Sequence, residues 1–401
     1  MDNKVYDIII IGGGISGLYT AYKLKEMNNN IKILILEKDI KIGGRLGNYK
    51  FYGENVVIGA GVGREMDTKL TKLLKDLSIK INYFDINYDF SKKIKNPVDV
   101  IEIMEILKKN YKNEKGIFKN YAIKILGKEL YKDFLISAAF QDFENSDVYD
   151  VLYNIIIDDI KGGGKRININ WEELINKLSK KVGLKNIKEN IEVTKIDHLK
   201  NYLKISSKNK DYFYSKKIIL ATTINTIKKL LPKNKIYDSI HGQPFIRIYG
   251  KFNKESSLIM ENYINKPTIV PSILQKIIPK NRENGIYMIS YSDNKNAEIL
   301  YKISENNEIN RKKLCNIIEK SLGIKKDTLH LISIKSFFWK IGTHFYGPLN
   351  LNYKSRKEFI KEAQHPSKNI LVVGEALALE QGWTEGALNS IDNTIYDFLQ
   401  N

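Results

Sequence analysis

The sequence predicts an α/β fold opening on a parallel strand–helix–strand unit, and two observations carry that prediction. An apolar run, Val5 to Ile11, ends at Gly12-Gly13-Gly14-Ile15-Ser16-Gly17 and leads into a helical pattern. A second apolar run, Ile31 to Leu36, is closed by Glu37, twenty residues after Gly17. In a Gly-x-Gly-x-x-Gly turn the first glycine makes the bend and the second lets a pyrophosphate approach the backbone. The third lets the helix pack on the strand, with the helix N-terminus aimed at the phosphates. The spacing therefore predicts a dinucleotide site built from Gly12, Gly14, Ile15, Ser16 and Gly17. Glu37, with Lys38 beside it, sits where a carboxylate accepts hydrogen bonds from an adenosine ribose and repels a 2′-phosphate.

A second glycine turn, Gly43-Gly44-Arg45, follows six residues after Glu37. Here the cofactor can be passed again, with the guanidinium forked onto pyrophosphate oxygens. At the other end of the chain, Ile370 to Val373 reads as a buried strand. It is followed by Gly374-Glu375 and then by Gln381-Gly382-Trp383-Thr384-Glu385-Gly386-Ala387-Leu388-Asn389-Ser390.

These two segments together resemble the flavin-containing amine oxidase family, which includes monoamine, polyamine and L-amino-acid oxidases. The resemblance implies a discontinuous Rossmann-like FAD-binding domain with a mixed-sheet plus helical substrate domain, as in glutathione-reductase-like flavoproteins. On this basis residues 1–80, 187–240 and 365–401 are expected to bind FAD. Residues 81–186 (helical) and 241–364 (sheet) are expected to form the substrate domain. A helix is expected from about Lys69 to Leu77, and strands within Glu189–Ile196 and Lys217–Thr223. By resemblance, Val193 contacts the cofactor through its backbone, and Ala221 ends the strand re-entering the flavin domain. Lys161 to Arg166 carries the glycines that the family places ahead of a helix such as Trp171 to Lys181. Gly59, Ala60 and Gly61 join the cofactor set, as do Gly374, Glu375 (on the ribityl chain), Gly382, Trp383, Thr384 and Ala387. A helix N-terminus at the flavin pyrimidine edge favours the negative charge of reduced flavin.

The same resemblance supplies the chemistry: hydride transfer from the carbon beside a neutral amine, then reoxidation by O2 to peroxide. Family members pinch the amine between two aromatic side chains. One position falls on Trp383, and the other, from Trp339-Lys340-Ile341-Gly342-Thr343-His344-Phe345-Tyr346, falls on His344. His344 also reads as a hydrogen-bonded loop histidine. Trp339 and Tyr346 are expected to touch substrate. Thr343 stands where monoamine oxidases carry the cysteine linked to flavin, so non-covalent FAD is expected. Arg247 occupies the position of the family's lysine near flavin N5. Arginine stays charged and cannot serve as a base, so Arg247 is read as a stabiliser of reduced flavin, a carboxylate fork or a structural arginine paired with an acid.

Substrate choice is less defined. Arg64, two places later than the arginine of L-amino-acid oxidases, is expected to reach an α-carboxylate or to start a surface helix. The acidic run Asp142 to Asp147, with Asp150, Asp158 and Asp159, reads as a solvated face or as an attractor for a second ammonium. The leading expectation is oxidation of a primary amine or amino acid. The alternatives are a desaturase or protoporphyrinogen-oxidase type of C–C chemistry, and a flavoprotein acting as a binding platform.

Composition bounds the rest. At 401 residues there is room for two cored domains. The net charge of +19 rests on fifty-eight lysines against seven arginines, spread along the chain. No basic block with interleaved aromatics points to nucleic acid. Four of the scarce arginines (Arg45, Arg64, Arg166, Arg247) fall in cofactor or active-site segments. Cys315 is the only cysteine, which excludes an intrachain disulfide and fits a reducing compartment. No run approaches the ~20 apolar residues of a membrane span, and no leader-like segment precedes the first strand. A soluble, cytoplasmic protein with no metal is expected, with a homodimer compatible.

Overall fold

The computed structural model describes residues 4–155 and 164–400. The run Lys161 to Gly163, Asp158 and Asp159 lie outside the described residues. Five of the seven strands in the first sheet run parallel. Val5–Ile11 lies between Ile33–Leu36 and Tyr212–Leu220, with Ile187–Lys188 beyond the former and Ile370–Val372 beside the latter. The long strand Tyr212–Leu220 uses one edge twice. Its first half pairs antiparallel with Leu203–Ser207, and its second half pairs parallel with Ile370–Val372. The antiparallel strand Val193–His198 completes the sheet.

Alternation explains why these strands read as unbroken apolar runs. Ile8, Ile10, Ile33, Ile35, Ile219 and Leu371 face one core, packed with the helices Ile15–Met27 and Trp171–Val182. Ile9, Ile11, Leu34, Leu36, Ile218 and Leu220 face the opposite core. A parallel strand covered on both faces has no polar side to show. Each such side chain contributes about 1.5–3 kcal/mol on burial.

The second sheet orders Leu331–Tyr346, Ile240–Phe252, Ile286–Asp293, Lys276–Asn281, Thr268–Ile269 and Asp89–Phe90. Here the two faces differ. Ile246, Ile248 and Ile334 enter a core with the helices Asn294–Tyr301 and Glu308–Leu322. Phe245, Arg247 and Tyr249 face the other way, beside Tyr291, Met288 and Phe337. That second face carries a smaller core of Tyr249, Ile286 and Met288, with Arg247 as its buried charged residue.

Four helices, Val100–Asn110, Phe118–Leu126, Lys128–Ala138 and Val148–Tyr153, share a separate core. The helix after the second glycine turn covers Thr68–Asp76. A tight hairpin, Asn48–Phe51 with Glu54–Val57, turns through Tyr52 and Gly53 with φ of 48° and 88°. It packs against the second sheet through Phe51 and Val56.

Candidate active site

The two glycine turns face each other across the C-terminal ends of the parallel strands. Gly12 has φ of +109°, and a Cβ there would lie 2.4 Å from the Ala221 carbonyl oxygen. A Cβ on Gly17 would lie 1.9 Å from the Gly12 oxygen, so the helix sits on the turn only because residue 17 has no side chain. Gly14 makes a bridge with Gly43, and a Cβ on Gly14 would meet nothing closer than the Gly44 Cα at 4.0 Å. The space between the turns is therefore bounded by bare backbone. Gly14 caps the helix Ile15–Met27 without a side-chain bond, so the first-turn N–H groups have no side-chain acceptor. A pyrophosphate fits this cradle in shape and charge. Glu37, buried, accepts the Gly13 N–H at 2.6 Å and the Asp39 N–H at 2.9 Å, tying the strand end to the turn.

From this cradle one continuous cavity of about 1230 Å³ runs to the second sheet. It exceeds the roughly 300–1,000 Å³ of ordinary small-molecule sites, as a site for a dinucleotide plus a substrate must. Gly12, Gly14, Ile15, Ser16, Glu37, Lys38, Gly44, Arg45, Val193 and Ala221 line its nucleotide part. Gly59, Ala60, Gly61, Gly374, Glu375, Gly382, Trp383, Thr384 and Ala387 line the far part. Gly17 is not on the wall, because its role is the helix contact.

The loop Ile58–Gly61 is pinned residue by residue. Trp339 Nε1 donates to the Ile58 carbonyl at 2.9 Å, and Arg247 Nε donates to the Gly59 carbonyl at 2.9 Å. The Ala60 N–H donates to the Arg45 carbonyl at 3.0 Å, and Trp171 Nε1 donates to the Gly61 carbonyl at 3.0 Å. Trp171 was legible only as a helix start. Its indole, fully buried in the first core, is what holds this wall.

Glu375 is the electrostatic centre. Its Oε1 accepts the His344 backbone N–H at 2.9 Å and the Gly382 N–H at 2.8 Å. Its Oε2 accepts Arg45 Nη1 at 2.9 Å and bonds His344 Nδ1. Burial works to raise this carboxyl, but His344 and Arg45 outweigh it and hold Glu375 well below the ordinary carboxylate range. His344 Nε2 accepts the Ile224 N–H at 3.1 Å, so the ring proton resides on Nδ1 and points at Glu375.

Three sequence expectations are corrected here. His344 is not an aromatic wall. It is buried behind Glu375 with both ring nitrogens bonded, while its neighbour Thr343 faces the cavity. Tyr346 is also behind the wall, its hydroxyl donating to the Ala378 carbonyl at 2.9 Å and its ring packed in the second core. Arg64 neither reaches the cavity nor starts a surface helix. Its Nη2 lies 2.8 Å from Asp67 and 2.6 Å from Glu380. Burial opposes its charge, yet these two carboxylates raise its pKa further. Its guanidinium lies 4.3 Å from the Trp383 ring, and Trp383 Nε1 donates to Asp67 at 2.8 Å. Arg64 and Asp67 thus clamp Trp383.

Among the described residues, the buried part of the acidic run is neither a solvated face nor a cationic trap. Asp147 and Asp150 are buried against Arg356, at 4.0 and 2.7 Å, away from the cavity. Burial pushes Asp150 up to about 6, against the pull of Arg356. Trp339, Trp383 and Arg247 do meet on the cavity wall. Arg247 is buried and pairs with no acid among the described residues. Its Nη1 contacts Met288 Sδ at 3.2 Å, its face lies 3.9 Å from the Tyr291 ring, and its Nη2 has no hydrogen-bond partner. No cluster of metal-ligating side chains and no membrane-spanning helix occur among the described residues.

Comparison with known proteins agrees with this geometry. Residues 10–77 match an NAD(P)-binding Rossmann-like domain. An uncharacterised protein of Acanthamoeba polyphaga mimivirus is 23% identical over 488 residues, covering 98% of this chain and 93% of that protein. The flavin-containing amine oxidase A of Canis lupus familiaris is 33% identical over 91 residues, 22% of this chain and 16% of the oxidase. A putrescine oxidase redesigned in its cofactor binding superposes with a TM-score of 0.73 at 14% identity, over 98% of this chain and 99% of that one. A structure from Exiguobacterium assigned as a protoporphyrinogen oxidase gives 0.73 at 15% identity, over all of both chains. The chain thus has the fold of these flavoproteins, and its N-terminal segment matches a dinucleotide-binding domain.

Proposed function

We propose that the chain is an FAD-dependent oxidoreductase that oxidises a primary amine or amino acid to an imine, which hydrolyses to a carbonyl compound and ammonia. In this reading residues 1–80, 187–240 and 365–401 hold the cofactor, while 81–186 and 241–364 enclose the substrate. The observation that carries it is the single cavity joining the glycine cradle to an aromatic wall of Trp339, Trp383, Phe245 and Tyr291.

FAD, when bound, supplies the hydride acceptor and the route to O2 and peroxide. Gly14, Gly44 and the first turn at Ile15 would hold its pyrophosphate, with Arg45 beside them. Glu375 fixes Arg45 and the Gly382 backbone, so the helix Thr384–Asp392 keeps its N-terminus on the cavity. Trp383, clamped by Arg64 and Asp67, and Trp339, tied to Ile58, orient the substrate and exclude water. Thr343 offers no thiol, which supports non-covalent binding.

The test is anaerobic mixing of the purified yellow protein with amines and amino acids. Bleaching of the visible flavin band, followed by peroxide on readmitting air, is the expected result. A natively folded protein that is colourless and refuses added FAD refutes the reading. A flavoprotein bleached by none of these compounds refutes the amine part. C–C oxidation is the second reading, favoured by the apolar stretch of Phe140, Ile278 and Met288 on the wall. Bleaching by a porphyrinogen or polyene alone would select it.

A further inference from the structure

The second sheet contributes Phe245, Arg247, Ile278, Pro279, Lys280, Met288, Tyr291 and Trp339 to Thr343 to the cavity. Its charged members are Arg247, Lys280 and Lys340, with no carboxylate among them. We propose that this wall is an anion-recognition surface: the unpartnered Nη2 of Arg247 takes a carboxylate of the substrate, and Lys280 adds positive potential nearer the rim.

Three observations support it. First, Arg247 is buried, stacked on Tyr291 and fixed through Nε to Gly59, so its orientation is set before any ligand arrives. A guanidinium nitrogen in a buried site without an acceptor is costly unless a ligand supplies one. Second, Lys280 and Arg247 line the same cavity: Lys280 lies where the strand Lys276–Asn281 slips register between Pro279 and Asn281, next to the strand Ile286–Asp293 that pairs with the Arg247 strand. Third, Lys280 lines this cavity with its side chain exposed; desolvation and then the Arg247 charge push its ammonium below the ordinary range, against the pull of Glu54. Two cations on one cavity wall, with no ion pair of their own among the described residues, favour a negative ligand and repel a polycation. Of the acids the sequence offered for binding a second ammonium, Asp147 and Asp150 are turned away toward Arg356, and Glu144 pairs with Lys119.

The inference rests on the FAD-oxidoreductase reading and narrows its substrate to a carboxylate-bearing compound, such as an amino acid, over a di- or polyamine. Phenylacetate and benzylamine are matched in size and opposite in charge, so they serve as probes. Calorimetry on the flavin-loaded protein is expected to show phenylacetate binding at least about tenfold tighter, a ratio that shrinks with added salt. Lys280→Met is expected to weaken phenylacetate several-fold, and Arg247→Met by at least about tenfold, with benzylamine unchanged or tighter. Equal or stronger binding of benzylamine to the wild type overturns the inference while the flavin band leaves the parent reading intact. Loss of flavin from Arg247→Met with unaltered phenylacetate affinity assigns the guanidinium to the cofactor and also overturns it. Should the protein prove colourless, the parent reading fails, and the same calorimetry on that protein still decides for or against the anion site.

Discussion

Replacing Glu375 by glutamine tests the electrostatic centre of the site with a change of one atom. The carboxylate accepts four hydrogen bonds, all from donors: the backbone N–H groups of His344 and Gly382, Arg45 Nη1 and His344 Nδ1. An amide offers one acceptor oxygen and one NH2. Whichever way it is turned, the NH2 meets two donors and two bonds are lost. His344 cannot relieve the clash by moving its proton, because Nε2 already accepts from Ile224. Breaking a buried charge pair costs about 3–5 kcal/mol. Arg45 is 30% exposed and regains some solvation, so we expect a loss near the low end, about 3 kcal/mol. Urea unfolding of the cofactor-free protein reads the loss, and the pH dependence gives an independent signature. Glu375 has a depressed folded pKa, so its stabilisation is full above its ordinary value of 4.5 and drains away as pH falls below it. Wild type is expected to lose this share of stability on acidification, while Glu375→Gln shows a flatter profile. A variant within about 1 kcal/mol of wild type at neutral pH, with an unchanged acid profile, would sink the reasoning.

Other expectations follow from the same geometry. Gly14→Ala places its Cβ in open space 4.0 Å from Gly44, so the fold should hold while FAD affinity drops at least about tenfold; equal FAD titrations would show that the gap is not the pyrophosphate cradle. Arg64→Leu leaves buried Asp67 facing Glu380 without a cation and should cost about 3–5 kcal/mol in unfolding experiments. Preference between phenylacetate and benzylamine should survive in that variant, and a lost preference would restore Arg64 as a substrate ligand. Acid precipitation should release the yellow cofactor into the supernatant, because Thr343 cannot form a thioether; a yellow pellet would refute non-covalent binding.

Four of the five parallel strands, all but the two-residue Ile187–Lys188, and both glycine turns were legible because the physics there is local. A buried parallel strand needs an apolar run, and a turn that brushes a carbonyl needs glycine. Both signatures lie within a few residues, as at Ile8–Ile11 and Gly12–Gly17. The cofactor residues named from those motifs line one cavity, with Gly17 behind it. The three misplaced residues share a different property. Arg64, His344 and Tyr346 were placed by offsets along the chain, but the direction each side chain takes depends on what is packed behind it.

By itself, then, the sequence determined the nucleotide end: strand, turn, helix, acid, and a closing strand with its Gly-Glu, each specified by neighbours in the chain. Only tertiary structure decided the substrate end. Trp171 and Glu380 come from segments distant from their partners, and nothing near them in sequence says that an indole would pin Gly61 or that Glu380 would join the neighbouring Asp67 in claiming Arg64. Long-range pairing sets which charges are cancelled. Asp147 and Asp150 are spent on Arg356 while Arg247 keeps a nitrogen unpaired, so the sign of the pocket was written in the packing of the chain rather than in its composition.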